Sequence, residues 1–210
     1  MYKPKEGLYQ RFIKRILDFL LALLAVLILS PLLIVVVILI KLDSKGPVFF
    51  TQERPGKNMK MFKVYKFRTM LQDAVKHQKV GVEVRGNDSR ITKLGNLLRR
   101  FKIDELAQLF NILKGDMSIV GPRPTLPDYI KQYEDWELRR FDVKPGLTGL
   151  AQVNGNIFLE FKEKSAYDIK YIEKISFLMD LKIIIKTVAI VLIGEDKFLK
   201  KSETQMGGEK

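Results

Sequence analysis

The sequence predicts an α+β fold carried on a membrane anchor. Three observations predict it: an apolar run over residues 19–40, two strand-like segments around the turn Arg54-Pro55-Gly56-Lys57-Asn58, and helically spaced apolar residues after Thr92. With 210 residues and no internal repeat, there is room for one modest domain beside a membrane element. Residues 1–42 form the basic flank and membrane helix, 43–194 the globular domain, and 195–210 a mobile charged tail. A formal charge of +13 suits a phosphate-rich partner, either nucleic acid or an anionic leaflet, and the apolar run favours the membrane. The absence of Cys excludes a disulfide framework, a thiolate zinc site and a cysteine nucleophile. His77, the only histidine, lies in a polar stretch and reads as a solvated side chain, which argues against His-dependent triads and zinc clusters.

The apolar run is long enough, at ~1.5 Å per residue, to cross a bilayer as a straight helix. Ser30-Pro31 sits at its centre, however. Proline has no N–H for the Leu27 carbonyl and its ring crowds that carbonyl, so the helix bends, while Ser30 can bond back to the freed acceptor. Lys3, Lys5, Arg11, Lys14 and Arg15 precede the run and Lys41 and Lys45 follow it, so both ends carry the cytoplasmic signature. These features point to a re-entrant helix-break-helix entering one leaflet. A kinked spanning helix satisfies hydropathy equally well. Asp18 is near Lys14 and Arg15 and can pair there.

Residues 43–47 read as a turn, and 48–52 and 60–68 as the strands of a short β-hairpin in which Lys66 and Arg68 project to one face, two cations able to meet one phosphate. Residues 72–84 are polar and ambiguous, and 86–89 read as a turn. The 92–101 segment reads as a helix with Leu94, Leu97, Leu98 and Phe101 on one stripe and Arg99 and Arg100 off it. A second helix carries Ile103, Leu106, Ala107, Phe110 and Leu113 on one face and stops near Lys114-Gly115. Asp104 and Glu105 then occupy its first turn, where simple dipole compensation would also place acids. Residues 117–120 read as a buried strand, ended by Pro122-Arg123-Pro124, whose prolines restrict the backbone around Arg123. Residues 127–141 read as a surface helix. Residues 144–150 are a glycine-bearing loop that matches neither common phosphate-binding motif, before a strand at 151–153. The 183–193 stretch is too short to span and suits either the interface or ordinary core packing.

Several ordered motifs carry more than spacing does. Lys14-Arg15 with Asp18, Ser30-Pro31, Gly46-Pro47-Val48-Phe49-Phe50, Lys66-Phe67-Arg68-Thr69-Met70, Asp104-Glu105-Leu106, Gln108-Leu109-Phe110-Asn111, Gly121-Pro122-Arg123-Pro124 and Pro145-Gly146-Leu147-Thr148-Gly149-Leu150 follow one another along the chain. This succession closely resembles the bacterial sugar transferase family, the monotopic phosphoglycosyl transferases. The resemblance implies the family's minimal form: a re-entrant anchor plus a small cytoplasmic catalytic domain with amphipathic interfacial helices, on the cytoplasmic face of the bacterial inner membrane. It also implies transfer of a sugar 1-phosphate from a UDP-sugar to undecaprenyl phosphate, with UMP as the other product. Carried onto this chain, Asp104 becomes the nucleophile, Glu105 a ligand of magnesium (Mg2+), and Arg123 a phosphate holder, with Lys66, Arg68 and Arg99 as further phosphate-binding candidates. The expected partners are thus the two substrates and membrane lipid rather than nucleic acid, and the sugar and the oligomeric state stay open.

If Pro31 sets the topology, Pro31→Ala converts the anchor into a spanning helix and moves the N-terminus across the bilayer. An accessibility assay that still finds the N-terminus on the cytoplasmic side removes proline from that role.

Overall fold

The computed structural model describes residues 7–71, 88 and 90–194; His77, the 72–84 stretch, most of the 86–89 turn and the 195–210 tail lie outside them. A π-helical turn, Tyr9–Ile13, runs directly into α1, Lys14–Asp43. Pro31 lies inside α1, yet the helix continues through it, so the expected break at Ser30-Pro31 does not interrupt the secondary structure. The reason is local. The Leu27 carbonyl, which Pro31 leaves without a donor, accepts from Ser30 Oγ at 2.8 Å.

One stripe of α1 is buried over its whole length: Lys14, Asp18, Ala22, Leu33, Val36 and Ile40, spaced for a single helical face. The opposite face leaves Leu20, Leu24, Leu27, Ile28, Ile34, Ile38 and Leu42 exposed. Strands β1 (Phe49–Pro55) and β2 (Met61–Phe67) form the expected hairpin, antiparallel from Phe49↔Phe67 to Pro55↔Met61. Phe67 and its neighbours pack under the C-terminal half of α1, with Leu33, Val36, Ile40 and Leu98.

Thr92 caps α2 (Lys93–Arg100), its side chain accepting from Gly95 N at 2.8 Å. Lys102 then turns left-handed (φ 55°), and the single helix expected after it divides into a 3-10 turn, Ile103–Ala107, and α3, Gln108–Lys114, which ends at Gly115 (φ 92°) as its glycine predicts. Asn111, fully buried in α3, ties that helix to the hairpin: its Oδ1 accepts from Tyr65 N (2.9 Å) and its Nδ2 donates to Lys63 O (2.7 Å).

Strand β3 (Ser118–Val120) pairs in parallel with β4 (Gly146–Thr148). The strand therefore lies inside the glycine-bearing loop, and in place of the strand expected at 151–153 a 3-10 turn forms over Gln152–Asn154. The glycines serve backbone contact here: a Cβ on Gly146 would stand 2.1 Å from Gly121 N. The surface helix expected at 127–141 is instead two 3-10 turns, Pro127–Gln132 and Glu137–Asp142. Tyr133 leaves the first in an extended conformation, and the buried Glu137 carboxylate accepts from Glu134 N at 2.7 Å to open the second. A Glu160/Glu163 capping box opens α4 (Phe161–Glu173). Helix α5 (Phe177–Ile193) buries Ile183 and Ile190 and exposes Leu178, Leu181, Ile185, Val188 and Leu192, so one side is core and the other is bare.

Replacing Asn111 with Ala leaves the Tyr65 N–H and the Lys63 carbonyl without their side-chain partner in a dry position. At ~1–3 kcal/mol for each of the two unsatisfied groups, the loss is about 2–6 kcal/mol. Thermal unfolding of the detergent-solubilised protein reads it as a lowered midpoint, and an unchanged midpoint contradicts the assigned role.

Candidate active site

The 3-10 turn Ile103–Ala107 turns Ile103, Leu106 and Ala107 into the core against Phe67 and α1, which leaves Asp104 and Glu105 toward the hairpin and the β3 end. Glu105 is clamped. Lys66 of β2 donates to its Oε1 at 2.8 Å, and Arg123 closes a two-pronged pair, Nη1 to Oε2 at 3.1 Å and Nη2 to Oε1. Asp104 is 8 % exposed, and its carboxylate takes part in no hydrogen bond or ion pair among the described residues.

The two adjacent carboxyl groups are therefore driven apart. Burial alone would raise Glu105, but the charges and hydrogen bonds of Arg123 and Lys66 outweigh it and hold the group well below the usual carboxylate range. Asp104 is raised, first by burial and then by the Glu105 charge, against the opposing pull of Lys66, Arg99 and Arg123. Arg99 contributes from α2 through that field, with its Nε donating to Thr69 Oγ1 at 2.9 Å.

Arg123 is aimed from beneath. Its carbonyl accepts from Arg140 Nη2 at 2.9 Å, and Arg140 is in turn paired with Asp168 of α4 at 2.9 Å and stacked over the Tyr133 ring. Arg140 and Asp168 are both buried, and burial pushes the Asp168 carboxyl up to about 6 despite the guanidinium beside it. Gly146 N donates to Pro122 O and Gly121 N to Thr148 O, both at 2.9 Å, so the strand pair fixes the other side of the Pro-Arg-Pro element.

Of the residues expected at the site, Asp104, Glu105, Lys66 and Arg123 converge and Arg99 stands at its edge. Arg68 does not join them. It lies beyond the end of β2 and turns back on the C-terminus of α1, donating to Ile40 O (3.1 Å), Ser44 O (2.6 Å) and Pro47 O, carbonyls that the helix end and the following turn leave open. Asn111, Arg140 and Asp168 support the site through partners distant in sequence; Asn111 stands in one of the ordered motifs, which assigns it no role, and no motif marks Arg140 or Asp168. Among the described residues, no group of three or more His, Cys, Asp and Glu side chains gathers, so the metal donors available at the site are the two carboxylates of the dyad.

The family described as bacterial sugar transferase matches residues 9–194 of this chain. The uncharacterized sugar transferase EpsL of Bacillus subtilis (strain 168) is 41% identical over 187 residues, covering 87% of this chain and 89% of that protein. The UDP-N-acetylgalactosamine-undecaprenyl-phosphate N-acetylgalactosaminephosphotransferase of Aeromonas hydrophila is 40% identical over 190 residues, 87% of this chain and 44% of that protein. The UDP-glucose:undecaprenyl-phosphate glucose-1-phosphate transferase of Escherichia coli (strain K12) is 41% identical over 193 residues, 88% of this chain and 41% of that protein. The chain thus spans most of the first relative and less than half of the other two.

A raised carboxyl pKa in the folded state means that the folded protein holds its proton more tightly than the unfolded chain, so the Asp104 contribution to stability falls as pH rises from the ordinary value of 3.8 through the folded value. Asp104→Asn removes that loss. The variant is expected to be more heat-stable than wild type near neutral pH, with the difference vanishing toward pH 3, as read from unfolding midpoints across pH.

Proposed function

The chain belongs to the bacterial sugar transferase family, and from that premise we propose that it moves a sugar 1-phosphate from a UDP-sugar to undecaprenyl phosphate through a covalent intermediate on Asp104. The observation that carries the reading is the asymmetry of the dyad, with one carboxyl group clamped by two cations and the other unpaired. A nucleophile must keep its lone pairs available, and Asp104 is the carboxylate that does so. In the first half-reaction an Asp104 oxygen attacks the β-phosphorus of the donor. The bond from that phosphorus to the oxygen bridging the α-phosphate breaks, and UMP departs. In the second, a phosphate oxygen of undecaprenyl phosphate attacks the same phosphorus, the bond to Asp104 breaks, and undecaprenyl diphosphate-sugar leaves with the carboxylate restored.

Lys66 and Arg123, which both donate to Glu105, are the cations assigned to neutralise the equatorial phosphate oxygens of the donor. Arg99 adds positive potential at Asp104. Glu105 would hold Mg2+ through its hard carboxylate oxygens, the rest of the shell coming from substrate oxygens and water. When bound, the ion supplies further neutralisation of the diphosphate.

The apolar helix supports membrane association, and its contacts favour a monotopic placement. Arg15 at its start and Ile40 at its end both dock on the same domain. A helix crossing the bilayer would carry one of those docking surfaces into hydrocarbon together with its charges. A re-entrant or in-plane α1 keeps both ends at the cytoplasmic headgroup level, where the bare faces of α1 and α5 meet lipid and a polyprenol can present its phosphate without leaving the bilayer. The differing sugars in the relatives' names make UDP-glucose and UDP-N-acetylgalactosamine the first donors to try.

With acceptor withheld, the purified protein plus Mg2+ and the correct UDP-sugar is expected to release one equivalent of UMP and to carry the sugar phosphate on Asp104 by mass spectrometry. With acceptor present, initial-rate plots run parallel. Asp104→Asn forms no adduct, and Glu105→Gln lowers turnover about 10²–10³-fold, as loss of a key electrostatic group does. Full turnover by Asp104→Ala, or intersecting rate lines, overturns the reading.

A further inference from the structure

A cavity of about 190 Å³ lies between the first turns of α1, the hairpin turn, the loop that leads into β4 and the end of α4. That is far more than the ~10–15 Å³ that holds one water. Its charged lining is Arg11, Lys14, Arg15, Lys57 and Lys144 against Asp18, and none of Asp104, Glu105, Lys66 or Arg123 borders it. We propose that this cavity binds the phosphodiester headgroup of an anionic membrane phospholipid, as a site separate from the one that carries out the transfer. The inference rests on the membrane placement of α1 argued above and is independent of the chemistry assigned to Asp104.

The carboxylates in and beside the cavity are already committed. Asp18 accepts from Ser118 Oγ at 2.7 Å and from Ile119 N at 3.0 Å. Asp180 accepts from Lys14 Nζ at 2.6 Å, from Tyr171 at 2.7 Å and from Tyr9 at 2.7 Å. Those contacts neutralise Lys14, and Arg11, Arg15 and Lys144 still outnumber the one carboxylate of the lining, Asp18. The Lys144 ammonium is held below the usual lysine range by burial first, then by the Arg15 and Lys57 charges, against the opposing pull of Asp18 and Asp116. An anion in the cavity relieves this repulsion, and a monoanionic phosphodiester with its glycerol hydroxyls matches both the charge and the hydrogen-bond donors.

The surroundings select a lipid over a soluble anion. Leu8, Phe12 and Ile16 stand exposed on the same turns of helix as Arg11 and Arg15, and Phe177 and Leu178 stand exposed at the start of α5, with the Tyr9 and Phe177 rings 6.2 Å apart. An acyl chain thus finds apolar surface beside the hollow that takes its phosphate.

The test uses the full chain in neutral detergent, with dihexanoyl-phosphatidylglycerol as the probe and dihexanoyl-phosphatidylcholine as the zwitterionic control, read by titration calorimetry. Saturable binding of the glycerol lipid is expected, with much weaker binding of the choline lipid. Removal of one cation by Lys144→Gln weakens it about fivefold and Arg11→Gln with Lys144→Gln about 25-fold, as ~1 kcal/mol per surface cation implies. Lys144→Arg keeps the charge and restores binding, which separates charge loss from misfolding. Equal affinity for both lipids, or a double variant that binds as wild type does, overturns the proposal. Displacement of the lipid by equimolar inorganic phosphate assigns the cavity to a free anion, displacement by undecaprenyl phosphate assigns it to the acceptor, and either result overturns the proposal too.

Discussion

The structure depends on closing both ends of one apolar helix with polar groups of a single domain. At the start of α1, Arg15 donates to the last carbonyls of α3 and Lys14 pairs with Asp180 of α5; at its end, Arg68 supplies donors to Ile40 and Ser44. Helix termini leave backbone carbonyls that must find partners, and side chains supply them here, Arg15 for the end of α3 and Arg68 for the end of α1. These contacts hold a single stripe of α1 against the core, and the hairpin, α3 and β3 are arranged around that stripe.

The dyad inherits its geometry from the same scaffold. The 3-10 turn that presents Asp104 and Glu105 is seated on the cluster beneath α1, Lys66 arrives on a hairpin that Asn111 locks to α3, and Arg123 arrives on a strand pair braced by Arg140 and Asp168. Three structural units meet at one carboxylate. The pairing of Glu105 with two cations while Asp104 has none is what makes two neighbouring acids chemically unequal, and it arises from where the units meet rather than from the residues themselves.

Much of this was legible in the residue order. The hairpin, the glycine stop at position 115, the helix after Thr92 and the buried strand before Pro122 follow from local rules and stand close to where those rules put them. What failed was set by distant partners. Arg68 sits on the same alternating face as Lys66 by register, yet strand β2 ends before it and the open carbonyls of α1 capture it. The 127–141 segment has helical composition, but an inward-turned Glu137 and an extended Tyr133 divide it. Proline 31 bends expectations more than it bends the hydrogen bonding, because its neighbour supplies the missing donor. Asp168 and Arg140 lie 28 positions apart, and no periodicity reports a bond between them.

The Lys14–Asp180 bond joins positions separated by 166 residues, which has a consequence for biosynthesis. At ~5–20 residues per second, translation leaves α1 without that partner for roughly 8–33 s after its basic flank emerges. During that interval Asp18, one turn further along the same helix, is the carboxylate within reach of Lys14, and the long-range pair closes only after α5 has been made.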